Sequence, residues 1–293
     1  MNRIGKNLVY GFFYTIAIMP LWFLYCISDV TFMIVYYIIH YRRKTVRCNL
    51  TAAFPEKSDA EITSIEKEYY HHFCDTFFET VKMLNFSEAR IKRHFIFKND
   101  ELAEYFLNEG RPVILVSGHY GNWEWGASIA LWIKPDEKRT VGYVYRPLKN
   151  KFFDYLYVRI REKFNSVGYV KNNIFRDIVK IKRDGRNWLM NFLSDQKPSS
   201  GTEQHKVMFL NQETAVMTGT AKIARLTGAA VCYVEITKIR RSYYEAKIKL
   251  ITDTPAELKA EEITEKYMQM LEKNILKNPA YYLWSHNRWK KMI

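Results

Sequence analysis

The sequence predicts an α/β protein, a mostly parallel sheet flanked by helices, behind an N-terminal membrane-anchoring helix. Three observations carry that expectation. From residue 111 onward, short apolar runs alternate with stretches of helical periodicity. The runs themselves, such as PVILVS at 112–117, are continuously apolar, as strands covered on both faces are. Residues 8–27, LVYGFFYTIAIMPLWFLYCI, contain no charge at all.

That uncharged stretch comes first in the chain. As a helix it would extend about 30 Å, the thickness of a bilayer core. Pro20 would kink it, and Trp22, Tyr25, Tyr36 and Tyr37 suit a membrane interface. A cleaved signal peptide fits poorly, because the apolar run is long and no small-residue cleavage site follows. Apolar character continues past Asp29 to His40, and the basic cluster Arg42, Arg43, Lys44 and Arg47 follows. Positive charge on that flank favours a cytoplasmic body; a spanning helix, a hairpin and a helix lying in the interface all remain open. The expected division is 1–48 as anchor and basic flank and 49–293 as one catalytic domain, with no linker or repeat inside it.

In the body, Ser58-Asp59-Ala60-Glu61 reads as a helix start, and 61–84 continues at helical spacing with Phe73, Phe77, Phe78 and Val81 on one stripe. Adjacent His71 and His72 point about 100° apart on a helix, which argues against a shared metal. Strands are expected at 112–117, 140–146, 188–195, 230–238 and 243–251. Helices are expected near 122–133, 151–164, 173–184, 214–227 and 257–277.

Composition narrows the class. With 45 Lys+Arg against 31 Asp+Glu the net charge is +14, while 48% hydrophobic and 26% charged residues exclude a disordered chain. A mean hydropathy of −0.30 excludes a polytopic membrane protein. Cys26, Cys48, Cys74 and Cys232 form no C-x-x-C pair, so neither a disulfide framework nor a zinc ribbon is expected. The excess of Lys and Arg over 159–186 comes without a nucleic-acid-binding signature, and no nucleic-acid partner is expected.

The chemistry sits directly after the first body strand, in Ser117-Gly118-His119-Tyr120-Gly121-Asn122-Trp123-Glu124. Ligands of open α/β sheets bind beyond the carboxyl ends of strands. His119 and Glu124 would point about 140° apart on an unbroken helix, but Gly118 and Gly121 permit a tight turn that lets them meet. Asn122 is a good N-cap, with Glu124 in the first helical turn. A base oriented by a carboxylate, with no nucleophile elbow nearby, suits direct transfer in which His119 takes a proton from a substrate hydroxyl. An H-x-x-x-x-E alone is more often a structural loop. It is not a zinc arrangement, so no metal is expected and no cofactor is called for.

SGHYGNWEW resembles the H-x-x-x-x-D/E block of the lysophospholipid acyltransferase-like superfamily, and more narrowly the late acyltransferases of lipid A biosynthesis. Further blocks follow in the same order: Asn49-Leu50 with Phe54-Pro55, Tyr145-Arg146-Pro147, Asp195-Gln196, Thr218-Gly219-Thr220-Ala221, and Tyr282 through Trp289. The resemblance implies a glycerolipid acyltransferase-like fold at the inner membrane, its catalytic domain on the cytoplasmic face. It also implies transfer of a fatty acyl chain from an acyl carrier protein or coenzyme A thioester to a hydroxyl of a lipid A precursor. His119 would be the base and Glu124 its orienter. Arg146 would contact a phosphate or the developing oxyanion, with Asp195 and Asn122 as further substrate-binding residues. Arg288 and Trp289 are expected to be structural. Met208 through Glu213 depart from the family wording, which leaves open another lysolipid or amino-lipid acceptor. A non-catalytic membrane-surface binding protein is the alternative of different class.

Overall fold

A computed structural model describes residues 3–198 and 205–289. The uncharged N-terminal stretch does not form one helix. Pro20 divides it into α1 (Arg3–Ile18) and α2 (Leu21–Met33), the latter prolonged by a wider π turn over Ile34–Ile38. The carbonyls left open at the end of α1 are taken by one buried cation: Lys82 Nζ donates to Ala17 O at 2.7 Å and to Met19 O at 2.6 Å. Leu21–Ile38 is long and apolar enough to cross a membrane, and 17% of it is buried.

Two helices follow, α3 (Arg43–Ala53) and α4 (Asp59–Lys82). The latter starts at the expected place: Ser58 accepts from the Glu61 N–H while Glu61 reaches back to the Ser58 N–H, a reciprocal cap. Its buried face carries Tyr69, Tyr70, His72, Asp75 and Glu79, and α2 lies along it. Three hydrogen-bonded links join the two helices to each other or to the sheet. Ser28 Oγ donates to Asp75 at 2.7 Å, Tyr25 Oη donates to Glu79 at 2.8 Å, and Arg241 bridges Asp29 and Asp75 at 2.5 and 2.6 Å.

The remaining elements build the body. In chain order they are α5 (Glu88–His94), β1 (Phe95–Lys98), α6 (Asp100–Asn108), β2 (Val113–Ser117) and β3 (Arg139–Tyr145). Then come α7 (Lys151–Arg161), β4 (Val167–Val170), α8 (Ile174–Arg183), β5 (Asn187–Leu193), β6 (His205–Phe209) and β7 (Gln212–Val216). Last are α9 (Gly219–Thr227), β8 (Ala230–Arg240), β9 (Tyr243–Thr252) and α10 (Ala260–Lys277). Seven strands form one sheet in the order β1-β9-β8-β2-β5-β3-β4. From β8 to β4 all neighbours are parallel; the β8–β9 pair is antiparallel. The expected mostly parallel sheet with helices on its faces is the architecture observed. β2 is buried at every position, as its continuous apolar run demands.

Three sequence expectations change here. The segment near 122–133 is not an α-helix but a succession of 3₁₀ turns over Trp123–Leu131. The helix placed at 214–227 begins only at Gly219, because Gln212–Val216 pairs with His205–Phe209 as an antiparallel hairpin. β1 and β4, four residues each, were not anticipated.

The placement of β5 matters most for function. It inserts between β2 and β3, so the carboxyl end of β2 has β5, not β3, as its neighbour on that side.

Candidate active site

The loop after β2 is held from four directions. Gly118 packs so closely on Leu271 that a Cβ there would lie 2.6 Å from a leucine methyl. Gly121 takes φ +60°, and a Cβ on it would lie 2.7 Å from Ile236. The Gly121 N–H donates to Tyr281 O at 2.9 Å, and the Leu283 N–H donates to His119 O at 3.0 Å. From α4, His72 Nε2 meets Gly121 O at 3.3 Å. Lys238 Nζ, which has only protons to offer, lies 3.2 Å from His72 Nδ1. His72 Nδ1 therefore accepts, and Nε2 carries the proton donated to Gly121. Burial, reinforced by Lys238, pushes this imidazole down to about 3, so it remains neutral.

At the mouth of this loop, His119 pairs with Asp195, the second residue past β5. Its Nδ1 lies 2.6 Å from Asp195 Oδ1, and its backbone N–H donates to Oδ2 at 3.1 Å. Asp195 is 2% exposed. Burial opposes its charge, but the neighbouring His119 and the two hydrogen bonds it donates outweigh it and hold the carboxyl below the usual range. An ionised Asp195 accepts, so Nδ1 bears the ring proton. The other nitrogen, Nε2, takes the 3.2 Å contact from the Gln196 side-chain amide and is the basic lone pair of the ring.

Glu124 does not make the contact expected of it. Trp123–Leu131 winds in 3₁₀ turns, and Glu124 turns toward α7. There both its oxygens engage Arg161, Oε2 with Nε at 2.6 Å and Oε1 with Nη2 at 2.7 Å. Burial opposes the Glu124 charge, yet Arg161 outweighs it and keeps the carboxyl low; Glu124 in turn holds the guanidinium charged. The link to His119 is indirect. Trp123 Nε1 donates to Glu124 Oε1 at 3.2 Å, and the Trp123 ring packs edge-on against His119 at 5.2 Å.

The other expected residues separate. Asn122 caps the 3₁₀ segment as read from sequence, its Oδ1 accepting from the Trp125 N–H at 3.3 Å, while its Nδ2 donates to Glu79 at 2.8 Å. It is fully buried with both ends engaged, so it is not presented to a substrate. Arg146 is exposed at the end of β3, with β5 between it and the His119 strand. Asp195, expected to bind substrate, instead pairs with His119. Ser117 spends its hydroxyl on Asn191 Oδ1 at 3.1 Å. Sequence reasoning counted Arg161 only as one basic residue among many; nothing in the spacing of α7 singles it out, because it lies about 140° around the helix from buried Leu156.

Beside Glu124 and Trp123 opens an apolar cavity of about 190 Å³ between α2 and α4, walled by Phe73, Phe77, Phe78, Tyr157 and Val35. Away from it, Asp29, His71 and Asp75 present oxygen and nitrogen atoms within 4.8 Å of one another, and Arg241 already bridges both carboxylates.

A parallel α/β sheet with a His–Asp pair at the ends of two neighbouring strands, an apolar cavity beside the Trp123–Glu124 turn and no serine elbow among the described residues is an arrangement suited to direct transfer between substrates. The comparisons agree. The family model for bacterial lipid A biosynthesis acyltransferases matches residues 2–291, and the chain belongs to that family. Over 251 residues, 85% of this chain, it is 24% identical to the lipid A biosynthesis palmitoleoyltransferase of Escherichia coli (strain K12) and 26% identical to the lauroyltransferase of that organism; each alignment covers 79% of the relative. It is 23% identical to a lipid A biosynthesis acyltransferase of Haemophilus influenzae (strain ATCC 51907 / DSM 11121 / KW20 / Rd), with 78% of that protein covered.

Proposed function

We propose that this acyltransferase moves a fatty acyl chain from an acyl thioester to a hydroxyl of a lipid A precursor at a membrane surface, with His119 as general base. The His119–Asp195 pair carries the reading. Nε2 removes the proton of the acceptor hydroxyl as its oxygen forms a bond to the thioester carbonyl carbon. The imidazolium that results is stabilised by Asp195, which also fixes the tautomer. Collapse of the tetrahedral intermediate breaks the C–S bond, and the proton returns to the departing thiolate.

Asp195 thus takes the orienting role expected of Glu124. Glu124 and Arg161 act as positioning residues, holding Trp123 against the imidazole ring. The apolar cavity is read as the berth of the acyl chain, each buried methylene contributing about 0.8 kcal/mol. The donor is a carrier protein or coenzyme A thioester, and no resident cofactor is needed.

Membrane association is supported by the outward faces of α1 and α2, where Leu8, Phe12, Ile18, Trp22 and Val30 are exposed. The basic residues from Arg42 to Arg47 follow directly, suited to anionic headgroups. This supports placement at the cytoplasmic face of the inner membrane.

The test is acyl transfer by the full chain in mixed micelles, with acyl thioester and lipid A precursor. Wild type yields the acylated product and His119→Ala does not. Undiminished transfer by His119→Ala would remove the proposed base.

A further inference from the structure

The chemistry above leaves one buried cation unused. Arg288, in the segment closing the chain, is 5% exposed. Its Nε and Nη2, adjacent along one edge of the guanidinium, have no hydrogen-bond partner among the described residues, and neither do His286 Nε2 and Asn287 Oδ1 beside it. Buried N–H groups without acceptors are costly, and a charged edge more so.

The segment is held firmly. Asn49 Nδ2 donates to Trp284 O and His286 O at 2.8 Å each, and Arg42 Nη1 donates to Ser285 O at 2.9 Å. The Ser285 N–H donates to Tyr69 Oη at 3.1 Å. The Leu283 N–H bond to His119 O ties the same segment to the loop of the base. An acid within electrostatic reach of Arg288 is Asp195, whose two oxygens already receive His119. Tyr267, Tyr282 and His286 are further titratable groups that feel its charge. A positive charge next to the reacting groups therefore has a vacant two-donor edge and, among the described residues, no anion hydrogen-bonded to that edge.

We infer that Arg288, assisted by His286, is a subsite for a phosphate oxyanion of the substrate beside the His119–Asp195 pair. The Nε–Nη2 edge matches two phosphate oxygens side by side, which a lysine ammonium does not. The inference rests on the acyl-transfer reading for its location. A phosphate reaches this place from either of two sources: a phosphate ester on the lipid acceptor, or the phosphodiester of the thioester donor's arm.

The experiment crosses two acceptors, phosphorylated and phosphatase-treated, with two donors, the complete thioester and an acyl N-acetylcysteamine lacking phosphate. It compares wild type, Arg288→Met and Arg288→Lys. Loss of a charged bidentate contact is expected to raise the KM of one phosphorylated partner by about 10- to 100-fold, with kcat little changed and the phosphate-free counterpart unaffected. Arg288→Lys recovers part of the loss. An effect confined to the acceptor identifies its phosphate; one confined to the donor identifies the arm.

Thermal melting separates a structural role, because removing an unpaired buried charge leaves the melting temperature unchanged or raises it. An equal loss in all four combinations with a lowered melting temperature, or no KM effect in any, overturns the subsite. Inorganic phosphate serves as a probe independent of turnover. It stabilises wild type and not Arg288→Met if the subsite exists, even should wild type transfer no acyl group. Absence of that difference counts against the subsite alone.

Discussion

Asp195 receives both N–H groups that His119 offers to it, the ring Nδ1 at 2.6 Å and the backbone N–H at 3.1 Å. One carboxylate thus sets the tautomer of His119 and the direction of the loop that carries it. Asp195→Asn keeps the shape but replaces the acceptor of a charge-assisted bond with an amide. The expected result is a fall in kcat of about 10²- to 10⁴-fold with KM within a few-fold, read from initial rates. A change confined to KM would mean that Asp195 binds substrate, as the sequence alone suggested.

Glu124 and Arg161 form a buried, two-pronged ion pair. Breaking such a pair from one side strands the other charge, at a cost of about 3–5 kcal/mol. Glu124→Gln and Arg161→Met should each lower the denaturation midpoint markedly. The double substitution Glu124→Leu/Arg161→Met should cost less than the sum of the two, since no charge is left behind. Additive losses in a denaturant series would show that the pair does not act as a unit.

His72 gives the fold a definite acid sensitivity. Its pKa is about 3 in the folded protein and about 6.5 in an unfolded chain. Below 6.5 the unfolded chain takes up a proton that folded His72 refuses. The stability this residue contributes is therefore complete above about pH 6.5 and is lost as pH falls toward 3, at up to about 1.4 kcal/mol per pH unit. His286, held down to about 4 by burial, works in the same sense over a narrower window. Melting temperatures between pH 7 and 4.5 should decline less steeply for His72→Gln than for wild type; parallel curves would contradict this.

The comparison of sequence with structure turns on a few residues. The parallel strands were legible because a strand buried on both faces must be apolar throughout, as β2 is. The hairpin His205–Val216 was missed because its turn places Leu210 and Asn211 at positive φ, +50° and +61°, without the Asn-Gly pair that announces such a turn. The N-terminal apolar run was legible as apolar with a kink at Pro20; the structure turns that kink into a full break, and Lys82, from another helix, completes the broken end. Asn122 was correctly read as a cap, but its second bond, to Glu79, lies 43 residues away in sequence.

By itself the sequence determined the fold class and the family, and it singled out the loop of His119, all of which depend on local pattern and on neighbours in the chain. Only the tertiary structure decided which carboxylate pairs with His119. The insertion of β5 between β2 and β3 brings Asp195 to His119 across 76 residues, and the docking of α7 brings Arg161 to Glu124 across 37. A carboxylate goes to the cation or donor that neutralises it best in a buried site, and strand order and helix docking, not separation along the chain, determine which partner that is.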